Sequence, residues 1–320
     1  MPDIFDTDEK NPIFIFVDGS YYNFYRYYAL LQWWKNTHPL ENAVPLENAV
    51  PLENAVPLEN AVPLENAVPL ENAVPLPLEP YENVEFVDKY RKMHIEHFQK
   101  IPGKLNLSDK DPVPILFVGK DCKREDIWRV EHYPEYKGTR DKNNKFKGGS
   151  IFKMVYDEEL FLKGGAKFVM KHPKLEADDC IALSVKHLLN RYSNNDNKCT
   201  CQIYIITSDH DYLQLASPNV HIYNLAYKNI VEAKASTGGP KVDLEMKIIM
   251  GDVSDNIPSV FPKCGPKTAQ KCIDNPDFFK KKMSENPDKY IKNYELNRLL
   301  VDFNSIPEKL VEEFMESIQT

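Results

Sequence analysis

The stretch Ile13-Phe14-Ile15-Phe16-Val17, followed directly by Asp18-Gly19-Ser20, decides the fold. Five consecutive apolar residues, all β-branched or aromatic, are typical of a strand buried on both faces of a parallel sheet. A tyrosine-rich helix is predicted to follow, from about 20 to 36. The segment therefore predicts a buried strand that ends at a carboxylate, Asp18.

Similar apolar runs recur along the chain and predict four further strands, at 114–118, 167–170, 201–207 and 220–223. Helices are predicted between them, the clearest from Glu176 to about Tyr192. Because strands that alternate with helices form parallel sheets, we predict an α/β fold with a central parallel sheet and flanking helices. After about 240, short helices separated by Gly/Pro turns are expected, with amphipathic helices over 285–320.

Acidic residues follow these strands in a regular way. Besides Asp18 they are Asp121, Glu176, Asp178, Asp179, Asp209 and Asp211. Since open α/β sheets bind ligands at the carboxyl ends of their strands, we expect these side chains to converge. Clustered carboxylates repel one another unless cations neutralise them, and all-oxygen ligand sets favour Mg²⁺ or Mn²⁺. Such sites serve phosphoryl transfer and phosphodiester hydrolysis. Taken singly, each acid is equally well explained as a helix cap or a solvated loop residue.

Composition excludes several classes of protein. The chain has 320 residues, 42% of them hydrophobic and 28% charged, which is ordinary for a globular protein of about two domains. No segment approaches the ~18 apolar residues of a membrane span, and the acidic N-terminus lacks the features of a signal peptide. Six cysteines are too few for a disulfide scaffold. These features predict an intracellular protein in a reducing compartment, cytoplasm or nucleus.

The net charge of −8 is unevenly distributed. Residues 40–88 carry ten acidic and no basic residues, so the remainder holds 40 basic against 38 acidic residues. The segment 137–174 has ten basic and four acidic residues. A polyanionic partner is therefore allowed, and this basic segment suits a phosphate backbone.

Six perfect copies of Leu-Glu-Asn-Ala-Val-Pro fill residues 40–75. A proline at every sixth position removes a backbone donor and disfavours helix at the residue before it. The two small apolar residues of each copy do not offset the entropy of ordering the chain. We predict a disordered insertion over 40–80 that loops out of a folded domain.

Five motifs in order resemble a known family. They are Phe-Val-Asp-Gly-Ser at 16–20, Trp128-Arg129 with Tyr-Lys-Gly-Thr-Arg at 136–140, Glu-Ala-Asp-Asp at 176–179, Thr-Ser-Asp-His-Asp at 207–211, and Gly-Asp-Val-Ser-Asp-Asn-Ile-Pro at 251–258 followed by 265–269. The chain resembles the flap endonuclease and XPG-type 5′ nucleases, which include the 5′ nuclease domain of bacterial DNA polymerase I. The motif sequences at 176–179 and 255–258 are more typical of the bacterial and phage branch of this family.

The resemblance implies an architecture with stated boundaries. It implies a PIN-like nuclease core over 12–39 and 81–240, with a helical arch over about 137–175. A C-terminal helix-hairpin-helix (helix-3-turn-helix) DNA-binding region is implied over 241–320. The tail lacks the family's usual sliding-clamp motif, and we expect a monomer.

The resemblance also implies roles for individual residues. The first of two Mg²⁺ or Mn²⁺ ions matches Asp18, Asp121, Glu176 and Asp178, and the second matches Asp179, Asp209, Asp211 and Asp255. Asp252 is a further candidate outside these sets. Lys137 and Arg140 match the catalytic basic pair that stabilises charge at the scissile phosphate. The predicted nucleic-acid contacts are Phe24 or Tyr25, Arg129, Lys263, Gly265, Lys267 and Lys271. For the two aromatic rings, core packing is the alternative. One family glycine is absent at Lys263-Cys264-Gly265, which leaves K⁺ binding at the hairpin open.

The function implied is that of a divalent-metal-dependent, structure-specific 5′ nuclease, acting as a flap endonuclease or 5′-3′ exonuclease. Its substrates would be DNA with a 5′ flap, nick or junction, or RNA-primed DNA. Two alternatives stay open: a PIN-type RNase, and a catalytically inactive protein that binds DNA junctions. The hairpin at 255–269 speaks against the first, and the complete set of acids speaks against the second.

Overall fold

The structure is a computed structural model that describes residues 3–37, 83–107, 112–140, 146, 148–194, 198–232 and 238–319. The predicted disordered insertion over 40–80 lies outside the described residues. Within the described ranges, none of the helices combines the length and the apolar character needed to cross a membrane.

A five-stranded parallel sheet forms the centre of the fold. Its strands are β1 (Ile13–Asp18), β2 (Ile115–Gly119), β3 (Ala166–Met170), β4 (Gln202–Ile206) and β5 (Val220–Tyr223), in the spatial order β3-β2-β1-β4-β5. Phe16 of β1 lies opposite Phe117 on one side and Ile205 on the other. The predicted central parallel sheet is confirmed, and each strand lies within a residue or two of its predicted position.

Twelve α-helices are described beside the sheet in the ranges given above. They are α1 (Gly19–Thr37), α2 (Val84–Gln99), α3 (Ile101–Lys104), α4 (Trp128–His132), α5 (Gly149–Asp157), α6 (Leu160–Lys163), α7 (Ala177–Arg191), α8 (Pro240–Met250), α9 (Pro266–Asp274), α10 (Pro276–Ser284), α11 (Pro287–Val301) and α12 (Glu308–Ser317). The predicted helix after Glu176 is α7, and the amphipathic helices predicted over 285–320 are α11 and α12.

The chain divides into two compact units. The first comprises residues 1–22, 100–145 and 165–320, and the second comprises residues 23–99 and 146–164. The sheet and helices α8 to α12 belong to the first unit, so the predicted boundary at about 240 does not separate these two units.

The core of the first unit packs α7 against the sheet. Phe14, Phe16 and Phe117 are fully buried with Ile181 of α7 in one apolar cluster. Gly119, the last residue of β2, allows a close approach, because a Cβ there would lie 2.8 Å from the carbonyl oxygen of Ala177. The carboxyl end of β2 therefore lies against the first turn of α7.

The second unit contains an aromatic cluster. The ring of Phe24 lies 4.7 Å from that of Phe146 and 4.8 Å from that of Phe152, measured between centroids. Phe24 nevertheless keeps 40% of its surface exposed, and Tyr25 is half-buried. Arg91 pairs with Glu158 at 2.7 Å in the same unit. Base stacking by Phe24 or Tyr25 stays a prediction.

Candidate metal centre

The carboxyl edge of the sheet collects the predicted acids, and all of them belong to the first unit. Asp18 ends β1, Asp121 lies two residues beyond β2, and Glu176 is the N-cap of α7. Asp209 caps the short 3₁₀ helix that follows β4. Oxygens of Glu176, Asp178 and Asp179 lie within 4.8 Å of one another, and so do oxygens of Asp178, Asp209 and Asp211. Asp178 thus belongs to both groups.

Four of the acids, which we call the open carboxylates, form no ion pair with any lysine, arginine or histidine among the residues that the structure describes. They are Asp18, Asp121, Asp178 and Asp209. Asp121 accepts hydrogen bonds from the hydroxyl of Ser20 and, at 2.8 Å, from the backbone N–H of Ala177 at the start of α7. Asp18 accepts from the N–H of Tyr21 at 3.0 Å and from the hydroxyl of Tyr212 at 3.4 Å.

The open carboxylates lie close to one another, and two of them, Asp18 and Asp178, are partly buried. Burial, together with the charges of Asp121 and Asp209, raises the pKa of Asp18 to about 7. Burial and the charges of Asp179 and Glu176 raise the pKa of Asp178 well above its usual value. In both groups burial is the largest cause of the raised pKa, and neighbouring carboxylates add to it. An all-oxygen set of this kind fits hard divalent cations such as Mg²⁺ or Mn²⁺.

The remaining acids, which we call the paired carboxylates, are neutralised by cations of the protein itself. They are Glu176, Asp179, Asp211, Asp252 and Asp255. Lys137 pairs with Glu176, and its Nζ lies 3.8 Å from Asp255. Burial alone would lower the pKa of Lys137, but the charge of Glu176 raises this pKa well above its usual value. Arg140 pairs with Asp255 and keeps 52% of its side chain exposed.

Asp179 and Arg129 form a buried ion pair. Arg129 donates to the two oxygens of Asp179 at 2.8 and 2.7 Å, and the Trp128 indole N–H donates to Asp179 at 3.0 Å. Arg129 is 1% exposed and Asp179 is fully buried. The prediction that Arg129 contacts nucleic acid needs correction, because its guanidinium is enclosed by protein and bonded to acceptors inside it. Cation binding by Asp179 stays a prediction, and both its oxygens already accept hydrogen bonds.

Sequence reasoning missed Lys247 and Tyr212. Lys247, in the last turn of α8, pairs with Asp211 and lies 2.9 Å from an oxygen of Asp252. Nothing in the sequence distinguishes this lysine from the other lysines of the C-terminal region.

Gly251 occupies a position that requires glycine. Its φ is +69°, and a Cβ there would lie 2.4 Å from the carbonyl oxygen of Ile257. Only glycine therefore allows the turn that leads from α8 to Asp252 and Asp255.

The predicted hairpin contacts lie before and along α9. Lys263, Lys267 and Lys271 are exposed, and Gly265 caps the helix. Lys267 and Lys271 are four residues apart and share one helix face. Lys263 adopts a left-handed backbone with a φ of +55°, at a position where glycine is favoured.

Stability without cations should depend on pH through Asp18. Its carboxyl has a pKa of about 7 in the folded chain and an ordinary value near 3.8, so the folded state binds the proton more tightly. In chelator the free energy of unfolding should therefore fall as pH rises from about 4 to 7, by about 3 kcal/mol. Asp18→Asn should flatten this dependence. Urea unfolding at several pH values measures it, and equal slopes for the two proteins would contradict the prediction.

Comparison with known families gives one match within the chain. Residues 103–241 match the model of the 5′-3′ exonuclease N-terminal resolvase-like domain. This confirms the resemblance to 5′ nucleases noted from the motifs.

The chain is similar to curated proteins with several different names. The chain is 31% identical over 163 residues to DNA polymerase I of Treponema pallidum, covering 49% of this chain and 15% of the polymerase. It is 32% identical over 217 residues to the ribonuclease H of phage T4, covering 59% of this chain and 65% of the relative. It is 28% identical over 153 residues to the flap endonuclease of phage T5, covering 43% and 48%. The chain thus spans less than two thirds of these relatives.

Solved structures share the fold. The T5 5′-exonuclease with bound zinc covers 96% of this chain and 98% of its own, with a TM-score of 0.54 and 18% identity. The T5 D15 flap endonuclease variant in a complex with DNA and metal ions matches 96% and 97%, with a TM-score of 0.53 and 17% identity. At this identity the match establishes the fold alone. This structural match agrees with the predicted PIN-like sheet and with the predicted C-terminal helices.

Proposed function

We propose that this chain, whose residues 103–241 match the N-terminal resolvase-like domain of 5′-3′ exonucleases, is a divalent-metal-dependent 5′ nuclease. One observation carries the proposal: four open carboxylates, none of them in an ion pair among the described residues, converge at the carboxyl edge of a parallel sheet. The relative named flap endonuclease and the matched 5′-3′ exonuclease domain support this reaction class.

Asp18, Asp121, Asp178 and Asp209 would hold two Mg²⁺ or Mn²⁺ ions, with Asp211 and Glu176 beside them. Two such ions supply, when bound, an acidified water and stabilisation of the leaving oxygen in phosphodiester hydrolysis. Arg140 pairs with Asp255 through a half-exposed side chain, so its guanidinium can exchange that carboxylate for a phosphate oxygen. Lys137 keeps a positive charge next to Glu176 and supports the same phosphate.

DNA with a 5′ flap, nick or junction is the proposed substrate. The exposed lysines before and along α9 support duplex binding, because a helix N-terminus and nearby cations both attract phosphates. The T5 flap endonuclease variant that shares this fold is described in complex with DNA. We propose that the protein acts as a monomer in a reducing, intracellular compartment.

A panel of end-labelled substrates tests the reaction class. The full chain is incubated in Mg²⁺ with a 5′ flap, a nicked duplex, an RNA-primed duplex and a single-stranded RNA. We expect cleavage near the single-strand/double-strand boundary of the flap, and near the 5′ end of the nicked strand and of the RNA primer. Cleavage of the RNA alone would instead favour a PIN-type RNase. Binding of the flap without cleavage in either Mg²⁺ or Mn²⁺ would favour an inactive junction-binding protein.

Duplex binding should depend steeply on salt through the lysines of α9. Replacing Lys267 and Lys271 with alanine should weaken binding and flatten the plot of log affinity against log salt by about two slope units, since each lost phosphate contact removes about 0.9. Fluorescence anisotropy between low and physiological salt measures the slope in chelator. Lys309→Ala, at an exposed lysine of α12, is the control. An unchanged slope in the double variant would remove these lysines from the interface.

A further inference from the structure

Arg129 is a fully buried cation placed between two carboxylates of the candidate metal centre. It is 1% exposed, and its guanidinium lies within 3.0 Å of both Glu176 and Asp179. Two buried carboxylates and one buried guanidinium are costly to desolvate unless their hydrogen bonds are complete. The arrangement therefore needs a reason beyond filling the core.

The hydrogen bonds of Arg129 reach two separate parts of the first unit, the end of α11 and the start of α7. Its Nε donates to the carbonyl oxygen of Leu300 at the end of α11, at 2.7 Å. Its Nη1 donates to Glu176 at 3.0 Å and to Asp179 at 2.8 Å, and its Nη2 donates to Asp179 at 2.7 Å. The guanidinium also lies 4.6 Å from the ring centroid of Trp128. Such a fixed fork suits arginine and cannot be reproduced by lysine.

The network continues from Arg129 to an open carboxylate. The backbone N–H of Glu176 donates to Asp179 at 3.2 Å, which closes the capping box at the start of α7. The backbone N–H of Asp179 in turn donates to Asp178 at 2.7 Å. The rotamer of Asp178, which belongs to both groups of clustered oxygens, is thus tied to the pair beneath it.

We propose that Arg129 is a positioning residue of the candidate metal centre: with Asp179 as its counter-ion, it fixes Glu176 and the first turn of α7 so that Asp178 faces the cations. The inference rests on the proposed function in so far as the centre binds divalent cations. It predicts that Arg129 acts on cation binding and on the chemical step, and that it makes no contact with DNA. Groups that orient metal ligands typically contribute 10–100-fold to metal affinity or activity.

The test compares Arg129→Lys with the wild-type chain and with Arg191→Lys. Arg191 pairs with Asp3 and Asp6 near the N-terminus, away from the clustered acids, and is the matched control. Mn²⁺ binding without DNA is titrated by electron paramagnetic resonance at a temperature where circular dichroism shows every variant folded. DNA affinity in chelator, and kcat and KM for a flap substrate, are measured on the same samples.

For Arg129→Lys we expect the Mn²⁺ Kd to rise at least tenfold, kcat to fall at least tenfold, and DNA affinity to stay within twofold of the wild type. Arg191→Lys should match the wild type throughout. A Mn²⁺ Kd within twofold of the wild type would overturn the proposal. So would a loss of DNA affinity with Mn²⁺ binding unchanged, because that result makes Arg129 a DNA contact.

A second variant keeps the proposal testable where lysine at 129 does not fold. Arg129→Met combined with Asp179→Leu removes both buried charges, and its Tm should exceed that of either single variant. Its Mn²⁺ Kd should still be at least tenfold above that of Asp179→Leu alone, because Glu176 has lost its guanidinium. Wild-type affinity in this folded variant would overturn the proposal. A wild-type chain that binds Mn²⁺ in this arginine-dependent way but cleaves no DNA leaves the inference standing and removes the proposed nuclease function.

Discussion

Replacing Asp209 with asparagine is expected to lower the rate of flap cleavage in Mg²⁺ about a thousandfold. Asp209 is an open carboxylate whose oxygens lie within 4.8 Å of those of Asp178 and Asp211. Removing its charge takes away a cation ligand, and several kcal/mol of transition-state stabilisation correspond to about three orders of magnitude in rate. DNA affinity in chelator should stay unchanged, because the proposed duplex contacts lie elsewhere.

The asparagine variant separates the catalytic role of Asp209 from its structural one. Asp209 caps a 3₁₀ helix by accepting from the N–H of Asp211 at 2.9 Å. Asparagine is an equally good cap, so the fold is retained while the charge is lost. In chelator, the free energy of unfolding should be equal to or above that of the wild type, since one repulsive charge has gone. Asp8→Asn, at an exposed acid near the N-terminus, is the control. Wild-type cleavage rates in Asp209→Asn would contradict the assignment.

Replacing Asp179 with alanine is expected to have the largest effect on stability. It leaves Arg129 buried without its bidentate partner, and breaking a buried pair in this way costs about 3–5 kcal/mol. The Trp128 indole also loses its acceptor. Urea unfolding in chelator measures the loss. If Asp179 served only as a cation ligand, its removal would relieve repulsion and the variant would be at least as stable as the wild type.

Asp209 and Asp179 show which features of the site the sequence predicts and which it does not. The order of strands and helices, and the position of each acid after a strand, followed from apolar runs and their lengths, because these patterns are local. Asp209 is therefore found by position alone. The different environment of Asp179 depends on Arg129, 50 residues earlier in the chain, and on Leu300, 171 residues after that arginine. No local pattern reports such pairings, so Asp178 and Asp179 look alike in sequence and differ in structure.

Among the basic residues too, the sequence identifies those that belong to a motif but does not show their tertiary contacts. Lys137 and Arg140 were found from a motif, and both lie against paired carboxylates. Arg129 belongs to the same motif but is buried, because its side chain points to the start of α7 and the end of α11. Lys247 was missed because its partners, Asp211 and Asp252, come together only through the tertiary fold.

The Mg²⁺ dependence of flap cleavage tests the central claim most directly. The initial rate on a 5′-labelled flap duplex is measured in chelator and then across a Mg²⁺ titration, with the same protein sample and with Asp209→Asn in parallel. We expect no cleavage in chelator, a saturable rise with Mg²⁺ in the wild type, and cuts near the base of the flap. Cleavage that persists in chelator, or a wild-type chain that cleaves at no Mg²⁺ or Mn²⁺ concentration, would contradict the account.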